Sequence, residues 1–116
     1  MNSPAPLSQE RRTAPRKPLR RRIALTLADF SVLKGQTVDI SSGGLRVALP
    51  RLLTVPQECM FELTVMQDGK VKTLSGRGRV LSCSCAGMDF NVGLQFMSME
   101  DAGKALVNSI LSGAAL

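Results

Sequence analysis

The sequence predicts a mainly β-class domain, a small antiparallel barrel or sandwich, followed by one C-terminal helix. Apolar and polar residues alternate with a period of two in several short segments after Ile23. Turn signals rich in Gly, Pro and Asp separate these segments. Residues 98–112 instead carry apolar residues at helical spacing. With 116 residues, of which 44% are hydrophobic, the chain is long enough for one core but too short for two.

Six segments have the strand pattern, and short connections join them. The first is residues 23–28, and Lys34-Gly35 marks a turn before a short second strand. Asp68-Gly69 predicts a tight hairpin, and Gly76 or Gly78 predicts a bend in the long strand that follows it. The other segments are residues 37–40, 45–49, 60–66, 71–85 and 88–96. Six short strands in this order favour a small antiparallel barrel or sandwich.

The C-terminal segment has the signals of a helix over residues 98–112. Ser98 is expected to cap it, Glu100 and Asp101 lie in its first turn, and Gly113 suits its end. We expect its apolar stripe to close one end of the barrel, although binding of a partner is an alternative role. The stripe consists of Ala102, Leu106, Val107, Ile110 and Leu111.

Charge is concentrated in the first 22 residues. They hold seven basic side chains, six of them Arg, and one acid, whereas the rest of the chain has eight of each sign. Pro15 and Pro18 oppose a regular helix there. Such a block is typical of a flexible arm that binds an anion, although a solvated basic tail is the simpler interpretation. We expect residues before about Ile23 to be mobile without ligand, since they lack apolar residues to bury.

The composition argues against several classes of function. The chain has no His, so His-dependent triads and the commonest metal ligand are excluded, and we predict no catalytic and no metal-binding residues. Cys59, Cys83 and Cys85 lack the spacing of a disulfide framework or a zinc site, and buried thiols in a reducing cytosol are expected. An aromatic content of 3% argues against base-stacking nucleic-acid modules. Neither a signal peptide nor a membrane span is apparent, so we expect a cytoplasmic protein.

One polar stretch stands out within the strand pattern, at residues 39–44. Asp39 and Ser41 lie on one face of a strand with Ile40 pointing into the core, and Gly43 and Gly44 permit positive φ and a close approach to a ligand. The Asp39 carboxylate can accept hydrogen bonds from the N1–H and N2–H₂ groups of a guanine. A Ser-rich turn without any ligand is the alternative.

The basic arm supplies a second set of polar groups. Arg12 and Arg16 are separated by three residues, and guanidinium groups can both bind phosphate oxygens and lie against a purine face. A ligand with two phosphates and two guanines would suit this combination. Arg77 and Arg79 on the long strand are further candidates, although solvated strand residues are the preferred interpretation.

Read together, RxxxR (Arg12 to Arg16) and DxSxxG (Asp39, Ser41, Gly44) resemble the signature of the PilZ domain, a bacterial receptor for cyclic di-GMP. Residues 93–96, Gly-Leu-Gln-Phe, are similar to the usual end of its last strand, and the resemblance covers residues 10–112. It implies a six-stranded antiparallel β-barrel with a C-terminal helix and a flexible N-terminal arm. It further implies that arginines bind the phosphates and guanine faces, and that Arg11 favours an intercalated ligand dimer.

The resulting expectation is one PilZ domain over residues 10–112 that acts as a cyclic di-GMP receptor without other cofactors. It comprises an Arg-rich arm (10–22), a barrel (23–97) and a helix (98–112), preceded by a disordered N-terminus (1–9). The expected ligand-binding residues are Arg11, Arg12, Arg16, Asp39, Ser41, Gly43 and Gly44. We expect a monomer or weak dimer that presents a changed surface to a separate protein. The alternatives are a ligand-independent interaction module and a nonspecific nucleic-acid binder.

Overall fold

The computed structural model describes residues 15–116, which form seven β-strands and one helix. Six of the strands build an antiparallel barrel, and the first strand is a two-residue addition to its side. The strands are β1 (Lys17–Pro18), β2 (Arg22–Leu27), β3 (Val32–Ile40), β4 (Gly44–Leu49), β5 (Gln57–Gln67), β6 (Lys70–Ala86) and β7 (Asp89–Ser98), and α1 is Asp101–Ser112. The predicted six-stranded barrel with one C-terminal helix is therefore confirmed.

The barrel closes because β3 pairs with strands on both of its sides. The order of neighbours is β1-β3-β2-β5-β6-β7-β4, and an additional β3–β4 pairing joins the two ends. Near its C-terminal end β3 pairs with β1 instead of β2, with Lys17 opposite Ile40 and Pro18 opposite Asp39. All pairings are antiparallel, as short connections between consecutive strands require.

The core follows the alternation in the sequence. Inward side chains such as Leu25, Val47, Phe61 and Leu74 are almost completely buried, while their neighbours along each strand face solvent. Phe61 also packs on Phe96, with ring centroids 5.4 Å apart. The Asp68-Gly69 hairpin is confirmed, because both residues have positive φ and Gln67 pairs with Lys70. A register shift at Arg77/Gly78 interrupts the β6–β7 ladder near the expected bend.

Helix α1 lies against the barrel through one face. Leu106, Val107 and Ile110 are buried, and Gly113 ends the helix in the left-handed region with φ 92°, as predicted. The predicted start is wrong, because Ser98 is the last residue of β7 and Glu100 stands at the N-cap without a side-chain cap. Ala102 is exposed and lies outside the buried stripe.

The turn after β2 differs from the predicted one. The expected turn residue Gly35 lies inside β3, where an added Cβ would collide with the Ala48 carbonyl oxygen, so its small size serves packing. The chain reverses instead at residues 28–31. There the Asp29 carboxylate accepts hydrogen bonds from the Ser31 hydroxyl at 2.6 Å and from its N–H at 3.0 Å. These bonds, the hydroxyl's above all, hold the pKa of Asp29 below its ordinary value.

The segment that leads from β1 to β2 is attached to the barrel. Leu19 is buried in the core, and its carbonyl accepts a hydrogen bond of 2.6 Å from the buried Thr37 hydroxyl. The Arg21 N–H donates to the same hydroxyl at 2.9 Å. The prediction that everything before Ile23 lacks apolar residues to bury is therefore wrong for this segment. The predictions for residues 1–9 and for residues 10–14 of the arm concern residues outside the described part of the chain.

Candidate functional site

A β-bulge determines where the motif residue Asp39 points. Thr37 pairs with Val47 and Asp39 pairs with Arg46, which leaves Val38 as an extra residue in β3. Thr37 is buried and Val38 is exposed, the reverse of what simple alternation through residues 37–40 predicts. After the extra residue, Asp39 faces outward while Ile40 is fully buried behind it. Bulges of this kind commonly re-aim a side chain next to a functional site.

Two arginines, one just before β1 and one on β4, hold the Asp39 carboxylate. Arg16, which directly precedes β1, places Nη1 2.7 Å from Oδ1 of Asp39. Arg46 on β4 places Nη1 3.6 Å from Oδ2. The Asp39 side chain is only 15% exposed, whereas the Arg16 and Arg46 side chains are 44% and 43% exposed. The arrangement is thus one shielded carboxylate between two guanidinium groups that remain open to solvent, which suits an anion that also offers hydrogen-bond donors.

Ser41 and the glycines form the turn between β3 and β4. The Ser41 N–H donates to the Gly44 carbonyl at 2.9 Å, and its hydroxyl oxygen accepts from the Gly43 N–H at 3.3 Å. Ser41 is itself buried. Its hydroxyl therefore stabilises the turn that begins after Ile40, in the manner of an ST turn.

The two glycines of the turn serve different purposes. Neither has the positive φ that the sequence suggested. An added Cβ on Gly44 would collide with the Leu94 carbonyl of β7, whereas one on Gly43 would meet open space. The Gly43 carbonyl accepts a hydrogen bond of 2.9 Å from the Phe96 N–H. The Gly-Leu-Gln-Phe end of the last strand thus fixes the position of the DxSxxG turn.

The structure brings together only some of the predicted site residues. Arg16, Asp39 and Gly43 lie on one surface formed by β1, β3 and β4, whereas Ser41 and Gly44 are buried beside it and Arg11 and Arg12 lie outside the described residues. Sequence reasoning missed Arg46. Its signal was the hairpin register, since a turn over residues 41–43 places position 46 near position 39 on the neighbouring strand.

The further arginine candidates lie on another part of the barrel. Arg77 and Arg79 are on β6, with their nitrogens 3.8 Å and 3.5 Å from the two carboxylate oxygens of Glu58 on β5. All three side chains are well exposed, so these pairs contribute little stability. Their arrangement is that of solvated strand residues.

The thiols have three different environments. Cys59 is buried, Cys83 is half-buried and Cys85 is exposed. Burial raises the pKa of the Cys59 thiol from 9.0 to about 11, which makes it an inert core residue. Among residues 15–116 no cluster of three or more Cys, Asp or Glu side chains could hold a metal ion.

Two other features of the described chain are separate from this surface. A shallow pocket of about 310 Å³ lies between the β2–β3 turn and the β4–β5 connection, lined in part by Asp29, Arg51 and Thr54. It contains none of the predicted site residues. The helix of the described part, α1, is too short and too polar to cross a membrane.

Comparison with known proteins identifies the family. The model of the PilZ domain matches residues 10–113, so the chain belongs to the PilZ domain family. This is the family that the two motifs and the GLQF strand resemble. A search of curated protein sequences found no match.

Solved structures share the fold at low sequence identity. The chain is similar to the inhibitor of motility MotI/DgrA of Bacillus subtilis, with a TM-score of 0.74 and 13% identity over 89% of this chain, but it spans only 50% of that one. It is also similar to the PilZ domain with c-di-GMP of Escherichia coli YcgR, with a TM-score of 0.65 and 19% identity over 90% of this chain and 91% of that one. A PilZ domain of CeSA from a cellulose-synthesizing bacterium gives 0.59 and 20% over 86% and 97%.

Proposed function

We propose that this chain is a cytoplasmic, non-enzymatic receptor for cyclic di-GMP that passes the signal to a separate protein. The observation that carries the proposal is the direct contact between the two motifs, since Arg16 of RxxxR lies 2.7 Å from Asp39 of DxSxxG. Family membership and the similarity to a YcgR PilZ domain bound to c-di-GMP support the choice of ligand.

Each group on the β1–β3–β4 surface has a role that its chemistry suggests. The Asp39 carboxylate accepts hydrogen bonds from the N1–H and N2–H₂ of one guanine. Arg46 keeps one carboxylate oxygen in place while the exposed Arg16 guanidinium turns to a phosphate oxygen or a guanine face. The turn of Ser41, Gly43 and Gly44 lets the ligand approach the backbone closely.

The arm completes the site in this proposal. Arg11 and Arg12 would bind the phosphates and the second guanine, and Arg11 favours an intercalated ligand dimer. Ordering each backbone residue costs about 1–2 kcal/mol, while a hydrogen bond to a charged group contributes about 1.5–3 kcal/mol. Several arginine contacts are therefore required, and the ordered arm together with the nucleotide forms the surface that a partner protein recognises.

Isothermal titration calorimetry with cyclic di-GMP, and with GTP as a control ligand, tests the proposal. Saturable binding of the cyclic dinucleotide alone is expected, near two ligands per chain if the ligand binds as a dimer. Binding of about one ligand per chain would still support the receptor function but would contradict the role proposed for Arg11. Absence of heat would instead favour the ligand-independent interaction module. Binding to any RNA with a steep dependence on salt would favour the nonspecific nucleic-acid binder.

A further inference from the structure

The C-terminal stretch of the long strand β6 has a neighbour on only one side. β5 begins at Gln57, opposite Val80, whereas β6 continues to Ala86 and pairs there with β7 alone. Within residues 15–116 no backbone hydrogen bond reaches the other edge of residues 81–86. The nearby β4–β5 connection donates a hydrogen bond to a side chain of this stretch, from the Leu53 N–H to Cys83 Sγ at 3.4 Å. We call residues 81–86 the free edge.

The geometry of the β6–β7 hairpin shows which backbone groups point outward from the free edge. Its turn consists of Gly87, with φ 67°, and Met88, and Ala86 lies opposite Asp89. In a two-residue hairpin the residues that flank the turn exchange both hydrogen bonds, and such pairs recur at every second position. The N–H and C=O groups of Cys83 and Cys85, at the intervening positions, therefore point away from β7.

The free edge lacks charge and proline, two of the features that usually prevent strands from pairing, and its register shift between Val80 and Ser82 is confined to its first residue. Natural edges carry charged residues, prolines or covering loops, but residues 81–86 read Leu-Ser-Cys-Ser-Cys-Ala. The surplus positive charge lies in residues 1–22, whereas residues 23–116 hold eight basic and eight acidic side chains, so the barrel itself presents no net charge to a second copy that approaches this uncharged edge. Exposed apolar side chains stand at both of its ends, with Leu81 41% and Met88 96% exposed.

We propose that the free edge of β6 pairs antiparallel with the same edge of a second copy of this chain, forming a two-fold dimer. A two-fold axis at Ser84 places Cys83 opposite the partner's Cys85, so the outward backbone groups of both strands match. The same register places Leu81 opposite the partner's Gly87, one position from the partner's Met88, at each end of the contact. Because the paired stretch is short, the dimer is weak and its fraction rises with concentration.

Sedimentation velocity over a concentration series tests the dimer, using two variants on the edge and one control. Cys85→Pro removes an N–H that faces the edge without removing a bond to β7, and Ser84→Lys places two positive charges opposite each other at the two-fold axis. Ser75→Lys adds the same charge on an exposed position of β6 outside the free edge, where β6 pairs with β5. The wild type and Ser75→Lys should self-associate, and both edge variants should stay monomeric with unchanged circular dichroism. A monomeric wild type, or Ser84→Lys that associates like the wild type, would overturn the proposal.

Disulfide cross-linking tests the register. Opposed residues of an antiparallel pair lie about 5.5 Å apart between Cα atoms, which a disulfide can span. Under mild oxidation with diamide, Cys83→Ser and Cys85→Ser chains should each give little covalent dimer alone, because each lacks one partner of the pair. An equal mixture of the two should give several-fold more dimer. Random collisions would instead give as much covalent dimer with Cys83→Ser alone, which retains the exposed Cys85, as with the mixture. That result would contradict the register.

Discussion

Arg16 and Asp39, which are 23 positions apart in the chain, are joined by a 2.7 Å contact between Nη1 and Oδ1. The contact is local in space because β1 pairs with β3, with Pro18 opposite Asp39. The two motifs therefore meet on adjacent strands of one sheet. Since each residue is proposed to bind ligand, the ligand must replace or rearrange their mutual contact.

Removal of Arg16 should weaken the binding of cyclic di-GMP strongly. Arg16→Ala is expected to lower affinity by about 10- to 150-fold, which corresponds to about 1.5–3 kcal/mol for a hydrogen bond to a charged group. Isothermal titration calorimetry measures this. Lys104→Ala, which removes one positive charge from the exposed face of α1, serves as the control and should bind like the wild type. Wild-type affinity of Arg16→Ala would place the site elsewhere.

The effects of Arg16→Ala and Asp39→Asn should not add. The two side chains contact each other and are proposed to share one ligand, so the double variant should lose less binding free energy than the sum of the single losses. A double-mutant cycle by titration calorimetry provides the coupling. Full additivity would mean that the contact has no influence on binding.

Arg46 should contribute by holding Asp39 in position. Arg46→Ala frees Oδ2 from its partner at 3.6 Å and is expected to reduce affinity several-fold, with Arg46→Lys recovering part of the loss. Thermal unfolding should change little, because the Arg46 side chain is 43% exposed and its contact with Asp39 is long, at 3.6 Å. An Arg46→Ala variant that keeps wild-type affinity would exclude the residue from the site.

The two turn glycines should respond differently to an added methyl group. Gly44→Ala forces a Cβ onto the Leu94 carbonyl and is expected to destabilise by about 1–3 kcal/mol, whereas Gly43→Ala meets open space. Each kcal/mol lowers Tm by about 4–8 °C in a domain of this size. Differential scanning calorimetry of both variants is the test. Equal Tm values would mean that β4 and β7 adjust without cost.

The attachment of residues 19–21 should depend on the Thr37 hydroxyl. Thr37→Val leaves the Leu19 carbonyl and the Arg21 N–H without this partner, which is expected to cost about 1–3 kcal/mol. Denaturant unfolding measures the cost, and limited trypsin digestion should cleave faster after Arg20 and Arg21. Thr73→Val, at an exposed strand position, is the matched control and should leave both results unchanged.

The thiols should react with Ellman's reagent in the order of their exposure. At pH 9 an ordinary thiol is half ionised, but burial raises the pKa of Cys59 to about 11 and therefore lowers its thiolate fraction at this pH. Cys85 should react fast and Cys59 only after unfolding. Loss of the fast phase in Cys85→Ser would assign it, and a rapid reaction of Cys59 in the folded protein would contradict its burial.

Alternation of apolar residues was sufficient to predict the barrel strands, because one face of each strand packs into a single core. It failed where packing or local hydrogen bonds determine the outcome. Gly35 resembles a turn residue, but β3 continues through it because its missing side chain leaves room for the Ala48 carbonyl. The true turn depends on a hydrogen bond from the Ser31 hydroxyl to the Asp29 carboxylate. The alternation of apolar and polar residues does not reveal a side-chain hydrogen bond of this kind.

The site was only partly predictable for a similar reason. The motif residues carry strong signals of type and spacing, and Arg16 and Asp39 do meet. Arg46 was missed because its proximity to Asp39 depends on the register of a hairpin. Leu19 was missed as an anchor because one apolar residue in a basic segment gives no periodic pattern.

The extra residue Val38 has a consequence for how such motifs are recognised in other sequences. Its carbonyl accepts the Leu19 N–H, and the bulge it creates turns Asp39 outward beside Arg46. A related chain with the same motif letters but no additional residue at this point would bury its aspartate or shift its strand. A search by letters would then accept a protein unable to bind. The length of β3 between Gly35 and the motif therefore carries information that the motif itself does not.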